Sequence, residues 1–360
     1  MTQKRTNPLL GGETATATRM DHRPAAVDQT ADLRAAEMLT DVYKRMTSEL
    51  GRVIVGQNEV LKQVLIALFC QGHCIIEGVP GLAKTLMISS VAKLLSLQFG
   101  RIQFTPDLMP SDITGNEVLE EEEGTGRRRM KFVKGPIFAN IVLGDEINRT
   151  PPKTQAALLQ AMQEYKVTVA GEDYHLEKPF LVLGTQNPIE QEGTYPLPEA
   201  QLDRFMFKVL IDYPSYDEEL TIAETTTSTD MAELEPILDR EGILNIQKVV
   251  RRVLVGRSVS GYAVKLARAT RPNSDEAPDF VKKYLTWGAG PRACQAMLLG
   301  AKANALLEGR VHVSTEDIRY VALPVLRHRL ATSFRAASDG VASDHIVEKL
   351  FEVIREPIEG

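Results

Sequence analysis

The feature that most constrains this chain is a glycine-rich run between a short apolar segment and a helical one. Residues 78–85 read GVPGLAKT and directly follow the apolar segment HCIIE at 73–77. Such a run wraps backbone N–H groups around phosphate at a helix N-terminus, while its lysine reaches the β- and γ-phosphates and its hydroxyl binds Mg²⁺. We therefore predict a phosphate-binding loop (P-loop). The alternative is an unrelated strand–turn–helix that happens to carry a lysine.

One position departs from the strict pattern of such loops. The pattern has glycine where this chain has Ala83. We expect a position at the start of a helix to accept alanine without a steric penalty. The candidate phosphate-binding residues are Gly78, Val79, Pro80, Gly81, Leu82, Ala83, Lys84, Thr85 and Leu86.

Short apolar segments alternate with helical stretches through the first two thirds of the chain. The strand-like segments are HCIIE (73–77), RIQFT (101–105), ANIVLGDE (139–146), FLVLGTQ (180–186) and FKVLI (207–211). Buried apolar strands that alternate with helices indicate a parallel sheet covered on both faces. After about Tyr213 the strand signals fade and helical patterns dominate.

These patterns predict an α/β fold with a five-stranded parallel sheet and a smaller all-helical second domain. A stretch without hydrophobic periodicity indicates a flexible tail at the N-terminus. We predict a tail over 1–30, a nucleotide-binding domain over 31–213, a linker over 214–240 and a helical domain over 241–360. Hairpin inserts are expected near 116–135 and 165–178.

Charge and composition argue against several classes of protein. A formal net charge of −6 over 360 residues is unlike the basic coat of many nucleic-acid-binding proteins. The sequence has no stretch near the roughly 18 apolar residues of a membrane helix, and no apolar signal segment follows its N-terminal charges. Three cysteines make no disulfide framework and fit a reducing compartment. We expect a cytoplasmic protein without membrane insertion.

The segment CQGHC places Cys70, His73 and Cys74 close together, which invites a metal-site interpretation. Structural metal sites of this kind need a second ligand pair at a suitable spacing. The sequence offers no such pair downstream, and the segment leads into an apolar strand. We therefore assign these residues to the core.

A second apolar strand ends in two carboxylates. Residues 141–146 read IVLGDE, so Asp145 and Glu146 follow the strand directly. Such a strand delivers one acid to a metal and one to an attacking water at the carboxyl edge of the sheet, where α/β sites lie. An acidic pair after a strand can also simply begin a loop. Its position downstream of the P-loop candidate favours the catalytic interpretation.

Three further polar residues follow in order along the chain. Asn187 ends the strand-like segment FLVLGTQ and could orient a lytic water, although an asparagine before proline is also a common turn residue. Arg204 lies in EAQLDRF, just before the last strand, and Arg292 lies in GPRA at a predicted helix start. Each arginine alone would be taken as a solvated surface residue.

The order of these motifs resembles the motif set of AAA+ ATPases. Within that class GVPGLAKT, DEINR, TQNP, EAQLDRF and GPRA closely resemble the MoxR family, and TPDLMPSDITG at 105–115 adds to the likeness. The resemblance covers roughly residues 35–350. It implies an AAA+ core with sheet order 5-1-4-3-2, an ATP-hydrolysing activity with ATP and Mg²⁺ as ligands, and a ring, which the family forms as a hexamer.

The resemblance also implies a role for each residue near the phosphates. Lys84 would hold the β- and γ-phosphates and Thr85 would bind Mg²⁺. Asp145 would support the metal through water, Glu146 would polarise the attacking water, and Asn187 would position that water.

By the same resemblance, two arginines and a base-binding segment complete the site. Arg204 resembles the finger that reaches into the next subunit, and Arg292 resembles the sensor on the helical lid. Val55, Gly56 and Gln57 precede a helix and resemble the adenine-side segment. Arg149, just after the acidic pair, is a further candidate for an interface cation.

The resemblance implies a chaperone-like ATPase that remodels or assembles protein partners. MoxR-like proteins typically work with proteins that carry a von Willebrand factor A domain, and this sequence contains no such domain itself. A nucleic-acid motor is one alternative, supported only by RRRMKFVK at 127–134 and opposed by the acidic net charge. A magnesium-chelatase-like motor subunit is another, and a scaffold that binds ATP without turnover is a third.

Charge patterning predicts the first hairpin insert. Residues 120–123 are acidic, 127–129 are basic, and a Gly-Thr-Gly turn lies between them. Opposite charges on two arms of a glycine turn are expected to face each other across a hairpin. A solvated loop is the alternative.

Overall fold

The computed structural model describes residues 29–121, 128–189, 193–226 and 233–357. The first 28 residues of the predicted tail and the predicted turn at 124–126 lie outside these ranges. In the described part of the chain, every helix is too short or too polar to cross a bilayer.

Helices and strands alternate in the first part of the chain, and helices dominate after β9. The helices are α1 Gln29–Leu50, α2 Asn58–Phe69, α3 Lys84–Leu94, α4 Pro110–Thr114, α5 Pro152–Glu164, α6 Glu199–Leu202, α7 Tyr216–Thr226, α8 Arg240–Arg252, α9 Arg257–Ala269, α10 Asp279–Tyr284, α11 Pro291–Leu307, α12 Thr315–Leu326, α13 Phe334–Ser338 and α14 Ser343–Val353. The strands are β1 Cys74–Glu77, β2 Phe99–Gln103, β3 Gly115–Glu121, β4 Arg128–Lys134, β5 Ile141–Asp145, β6 Lys166–Val169, β7 Glu172–His175, β8 Leu181–Gln186, β9 Phe207–Leu210, β10 Leu254–Val255, β11 Leu285–Trp287, β12 His312–Val313 and β13 Ala331–Thr332.

Five parallel strands form the central sheet in the order β2-β5-β8-β1-β9. Numbered by their order in the chain and taken from the β9 edge, this is the predicted order 5-1-4-3-2. The predicted parallel sheet is therefore confirmed. Because all five strands run the same way, their carboxyl ends meet at one edge, where sites in α/β proteins form.

Alternate residues of the central strands enter two separate cores. Ile75 and Val142 are buried on one face beside α5 residues such as Leu158. Ile76 is buried on the other face in the larger core, which also takes in helices of the lid. Since both faces are covered, these strands are apolar throughout and lack the alternation of a half-exposed sheet.

The two predicted inserts are hairpins. β3 pairs antiparallel with β4, so that Glu121 lies opposite Arg128, and the Lys131 ammonium contacts the Glu120 carboxylate at 2.8 Å. β6 pairs antiparallel with β7. A stacked pair of rings with centroids 3.9 Å apart, Phe132 on β4 and Tyr174 on β7, joins the two hairpins.

The lid region is helical, as predicted, and carries two short strand pairs, β10 with β12 and β11 with β13. Helix α11 begins at Pro291, and α12 begins with a capping pair, Ser314 and Asp317. In that pair the Ser314 hydroxyl accepts a hydrogen bond from the Asp317 N–H, and the Asp317 carboxylate accepts one from the Ser314 N–H. The lid packs on the sheet domain through contacts of α12 with β9 and of α11 with α1 and α2.

The predicted linker over 214–240 contains a regular helix, α7. Three acidic residues, Asp217, Glu218 and Glu219, lie in its first turn. Negative charge there stabilises a helix because it faces the positive end of the helix dipole.

Candidate active site

A cavity of about 510 Å³ lies at the carboxyl edge of the sheet, between the N-terminus of α3 and the ends of β5 and β8. The fold brings together here four motifs that are up to about a hundred residues apart in sequence. The lining residues are Pro80, Gly81, Leu82, Ala83, Lys84, Thr85, Leu86, Arg101, Asp145, Glu146, Thr185, Gln186 and Asn187.

The loop before α3 has an unusual backbone at its alanine. Ala83 has φ 52° and ψ 24°, in the left-handed region. A residue with a Cβ adopts this region at a cost of roughly 1–2 kcal/mol, which glycine avoids. The expectation that alanine carries no steric penalty here is therefore wrong. Ala83 caps α3 in this conformation and turns the following residues into the helix.

Lys84 is folded onto its own loop. Its Nζ donates hydrogen bonds to the carbonyl oxygens of Gly78 and Val79, the latter at 3.0 Å. Partial burial lowers the pKa of the Lys84 ammonium, and the carboxylates of Asp145 and Glu146 act against that shift. The lysine thus lies within the electrostatic influence of both acids while contacting the carbonyls of the loop.

Asp145 is held by two neighbouring strands. Its Oδ1 accepts a hydrogen bond from the Thr185 hydroxyl on β8 at 2.7 Å. Its Oδ2 contacts the Arg101 guanidinium on β2 at 2.7 Å. The carboxylate is therefore fixed from both sides at the carboxyl edge of the sheet.

Glu146 sits at a sharp turn directly after β5. Its backbone has φ 57°, in the left-handed region, and its N–H donates to the Thr185 hydroxyl oxygen at 2.9 Å. Its carboxylate lies 3.2 Å from the Arg149 Nε and 3.4 Å from the Gln103 Nε2. The turn separates the side chains of the two acids, so that they can serve different functions.

Asn187 follows β8 and is largely buried, with 9% of its surface exposed. Its Oδ1 accepts a hydrogen bond from the Ile189 N–H at 3.1 Å, which is the turn contact expected of an asparagine before proline. The same side chain lines the cavity with Lys84 and Glu146. The two interpretations of Asn187 left open by the sequence are thus compatible.

The predicted adenine-side residues lie in a second cavity, of about 360 Å³. Gly56 and Gln57 line it, and Val55 directly precedes them. The Gln57 Nε2 donates to the Asp212 carbonyl oxygen at 3.3 Å. Gly56 has φ +70°, a left-handed backbone that favours glycine. The other lining residues are Asn58, Glu59, Val60, Leu210, Tyr213, Pro214 and Glu218.

The two predicted arginines line a third cavity, of about 260 Å³. Arg204 and Arg292 are both exposed there. The Arg292 Nη1 lies 3.5 Å from an oxygen of Asp203, and the Arg204 Nη1 donates to the Leu159 carbonyl oxygen at 3.4 Å. Within one chain, the structure brings the arginines together with each other and places them in a different cavity from Lys84.

Comparison with known proteins identifies the class to which this site belongs. A family model described as "ATPase family associated with various cellular activities (AAA)" matches residues 73–207, and an AAA lid domain model matches residues 279–350. The chain is 39% identical to Chaperone MoxR1 of Mycobacterium tuberculosis, over 90% of this chain and 84% of the relative. The chain belongs to the MoxR family of AAA+ ATPases.

Three further proteins are similar to this chain over most of its length. Protein MoxR of Methylorubrum extorquens is 29% identical over 89% of this chain and 97% of its own length. The uncharacterized protein YeaC of Bacillus subtilis is 40% identical over 90% of this chain and 97% of its own length. A solved structure of a candidate ATPase from Cytophaga hutchinsonii has TM-score 0.84 and 37% identity, covering 92% of this chain and 99% of that one.

Sequence reasoning missed three residues of this MoxR-family site: Arg101, Gln103 and Thr185. Arg101 and Gln103 lie on β2, which pairs in parallel with β5 so that Gln103 is in register with Asp145. The segment RIQFT was recognised as a strand, and sheet order 5-1-4-3-2 places that strand beside the acidic one. That adjacency was the available signal for Arg101 and Gln103.

The segment CQGHC contributes to the core. Cys70, His73 and Cys74 are buried, and both ring nitrogens of His73 are engaged. Nε2 lies 3.1 Å from the Met162 carbonyl oxygen, and Nδ1 accepts a hydrogen bond from the Val182 N–H at 3.0 Å. Burial lowers the pKa of His73 to about 4. The described residues hold no group of three or more His, Cys, Asp or Glu side chains suited to a metal ion.

Proposed function

We propose that this chain hydrolyses ATP in the cavity beside Lys84 and uses that reaction to remodel or assemble protein partners. The observation that carries the proposal is the convergence of Lys84, Asp145, Glu146 and Asn187 on one cavity at the carboxyl edge of the sheet. Phosphoryl transfer to water requires four kinds of residue. They are a cation that binds the phosphates, an acid that supports the metal ion, a base that activates the water and a polar group that positions the water.

The donor set fits Mg²⁺. Thr85 and Asp145 present a hydroxyl and a carboxylate to the same cavity, and oxygen ligands of this kind suit Mg²⁺. When bound, Mg²⁺ would neutralise charge on the β- and γ-phosphates. We assign phosphate contacts to Lys84 and the backbone of residues 78–86, and metal support to Thr85 and Asp145.

In this proposal Glu146 activates the attacking water. Its position after the left-handed turn aims a carboxylate into the cavity, while Asp145 is held by Thr185 and Arg101. Asn187, on the neighbouring strand end, would hold the water in line for attack. Gly56 and Gln57 would contact the adenine ring from the second cavity, beside Val55.

The separate location of the arginines supports a shared site. In one chain Arg204 and Arg292 line a different cavity from Lys84, so a second subunit is needed to bring a finger to the phosphates. We propose a ring, hexameric as in the family, in which these two arginines face a neighbour's nucleotide. Head-to-tail contacts of this kind close into rings.

The proposed client is a protein, such as one with a von Willebrand factor A domain. Support comes from the relative named as a chaperone and from the hairpin β3–β4, on which Leu119 and Met130 lie opposite each other and are 60% and 55% exposed. The basic run that favoured a nucleic-acid motor is partly paired with acids, Lys131 with Glu120 and Arg128 with Glu121. This pairing weakens that alternative.

The proposal also includes the domain limits and the location. The family-model matches at 73–207 and 279–350 fall within the proposed nucleotide-binding domain, 31–213, and lid, 241–360. Three free cysteines are consistent with the expected cytoplasmic location.

Two variants test the proposal together. Glu146→Gln should bind ATP normally and lose about 10²–10⁴-fold in kcat, the usual contribution of a general base. Lys84→Ala should lose ATP binding. Near-normal turnover in Glu146→Gln, or unchanged ATP affinity in Lys84→Ala, would contradict the assignment of this cavity.

A further inference from the structure

Arg329, just after α12 in the lid, is buried against the segment that carries Arg204. Only 6% of Arg329 is exposed. Its Nε donates to the Asp203 Oδ1 at 2.8 Å. Its Nη2 donates to the carbonyl oxygens of Asp203 at 3.2 Å and Phe205 at 2.7 Å. Its Nη1 donates to the carbonyl oxygens of Met206, at 3.1 Å, and Val325. These contacts match the five N–H donors of a guanidinium.

A buried arginine needs such compensation. Removal of the guanidinium from water lowers the pKa of Arg329, and its contacts with Asp203 oppose that shift. A buried charge is strongly destabilising unless it is paired and hydrogen-bonded. The fork of Arg329 therefore fixes the backbone of residues 203–206 to the lid in one arrangement.

Asp203 links Arg329 to both proposed interface arginines, to Arg292 through its carboxylate and to Arg204 through the chain. One oxygen of Asp203 contacts Arg329, and the other lies 3.5 Å from the Arg292 Nη1. Arg204 is the next residue in the chain, between Asp203 and Phe205, whose carbonyl oxygens accept hydrogen bonds from the Arg329 Nη2. Arg204 and Arg292 themselves are exposed.

Two neighbours of Arg329 bind the same stretch of backbone. The His328 Nε2 lies 3.1 Å from the Phe205 carbonyl oxygen. The Arg327 Nη1 donates to the Lys208 carbonyl oxygen at 3.1 Å. Three successive lid residues thus hold the chain from Asp203 into β9, and a shift of the lid would move this segment with it.

We propose that Arg329 is a positioning residue: through Asp203 it sets Arg204 and Arg292 in the orientation in which they enter a neighbouring subunit's site, and it couples that orientation to the lid. The inference rests on the proposed shared site. It assigns Arg329 an effect on the neighbour's hydrolysis and none on its own subunit's nucleotide binding. Arg329 contacts Asp203, which lines the cavity of Arg204 and Arg292, whereas Lys84 lines a different cavity.

Arg329→Lys is the first variant, since lysine keeps the charge and loses the planar fork. Rings should form as in the wild type, the Kd for a fluorescent ATP analogue should stay within about twofold, and kcat should fall at least about tenfold, as expected when a positioned group is lost. The matched control is Arg335→Lys on α13, whose side chain is 67% exposed; it should keep wild-type kcat. Wild-type kcat in Arg329→Lys would overturn the inference.

Mixed rings separate a positioning effect from a general structural one. Arg329→Lys subunits are co-expressed with Glu146→Gln subunits, and rings are purified through a different tag on each. In a randomly mixed head-to-tail ring, roughly a quarter of the interfaces combine an intact ATP site on an Arg329→Lys subunit with correctly positioned arginines on a Glu146→Gln subunit. Activity should recover to about that fraction of wild type, well above either parent.

The pair Arg204→Ala with Glu146→Gln is the reference mixture. Recovery in the reference mixture without recovery in the Arg329→Lys mixture would show that Arg329 acts within its own subunit, and the inference would fail alone. No recovery in either mixture would remove the shared site and the inference together. If Arg329→Lys does not form rings, Asp203→Asn takes its place, because asparagine removes the charge at nearly constant volume. Wild-type kcat in Asp203→Asn, or no recovery in its mixture when the reference mixture recovers, would overturn the inference.

Discussion

The Thr185 hydroxyl connects the two acids of the site: it donates to the Asp145 carboxylate at 2.7 Å and accepts from the Glu146 N–H at 2.9 Å. Thr185 is on β8, Asp145 ends β5 and Glu146 follows it, so a single side chain on the neighbouring strand orients both acids. It is 1% exposed, which means that water cannot readily replace it. Its importance was not apparent from the segment FLVLGTQ.

Thr185→Val tests this connection. Valine has nearly the same shape and suits a strand, but it leaves a carboxylate oxygen and an N–H without their partner, at a cost of about 1–3 kcal/mol. We expect kcat for ATP hydrolysis to fall about tenfold or more, with the Kd for ATP little changed. Thr332→Val on the exposed strand β13 is the control. Full activity in Thr185→Val would mean that the acids are oriented by other groups.

Ala83→Gly tests the strained loop. Glycine accepts the left-handed backbone of residue 83 without strain. The strain removed is larger than the extra conformational entropy that glycine loses on folding, compared with alanine. We expect the free energy of unfolding to rise by about 1 kcal/mol, with ATPase activity retained. Ala156→Gly, at an exposed position inside α5, should instead lower it by about 1 kcal/mol. Chemical denaturation of both variants makes the comparison, and a loss of stability in Ala83→Gly would contradict the strain.

Arg101→Met tests the balance of charge at the proposed metal side. Arg101 contacts Asp145 at 2.7 Å, and a cation there competes with Mg²⁺ for the same carboxylate. Without it, half-maximal ATPase activity should need severalfold less Mg²⁺. The measurement is a Mg²⁺ titration of steady-state hydrolysis at fixed ATP. A requirement for more Mg²⁺ would show that Arg101 instead helps to bind nucleotide.

His73 predicts a pH dependence of stability. Burial lowers its pKa to about 4, against roughly 6.5 in an unfolded chain. The unfolded state therefore takes up a proton first, and stability present above pH 6.5 is lost as the pH falls toward 4. Buried His328, whose pKa is also lowered, acts in the same direction. His73→Asn should be less stable at pH 7 and should lose less stability between pH 7 and pH 5. An equal loss of stability in His73→Asn and the wild type between pH 7 and pH 5 would show that His73 does not cause the pH dependence.

The chemistry-bearing motifs were predictable because each is local. The P-loop, the acidic end of β5 and the segment with Asn187 are each short, and their residue types follow from phosphate chemistry. The parallel sheet then brings the strand ends to one edge. The strand order needed the family resemblance, since apolar runs such as IVLGD and LVLGTQ are interchangeable by pattern. Helix α7 was not predicted because it is stabilised by an acidic first turn and lacks an apolar stripe.

Contacts between distant segments were beyond sequence reasoning. Arg329 is 126 residues from Asp203, and an arginine after a helix ordinarily suggests an exposed side chain. The left-handed backbone of Ala83 was likewise invisible, because alanine is common at helix starts and its φ is set by the loop. The separation of Arg204 and Arg292 from Lys84 depends on how the lid packs on the sheet, which no local pattern specifies.

The most direct test of the shared site is specific ATPase activity measured against protein concentration, with particle mass determined by light scattering in the same samples, with and without ATP. If Arg204 and Arg292 serve a neighbour's nucleotide, activity per subunit should rise as rings form and stay low in the monomer, since an arginine supplied across an interface is worth about 10³–10⁵ in rate. Full activity in a monomer, unchanged by dilution, would contradict the shared site and leave a self-contained P-loop enzyme.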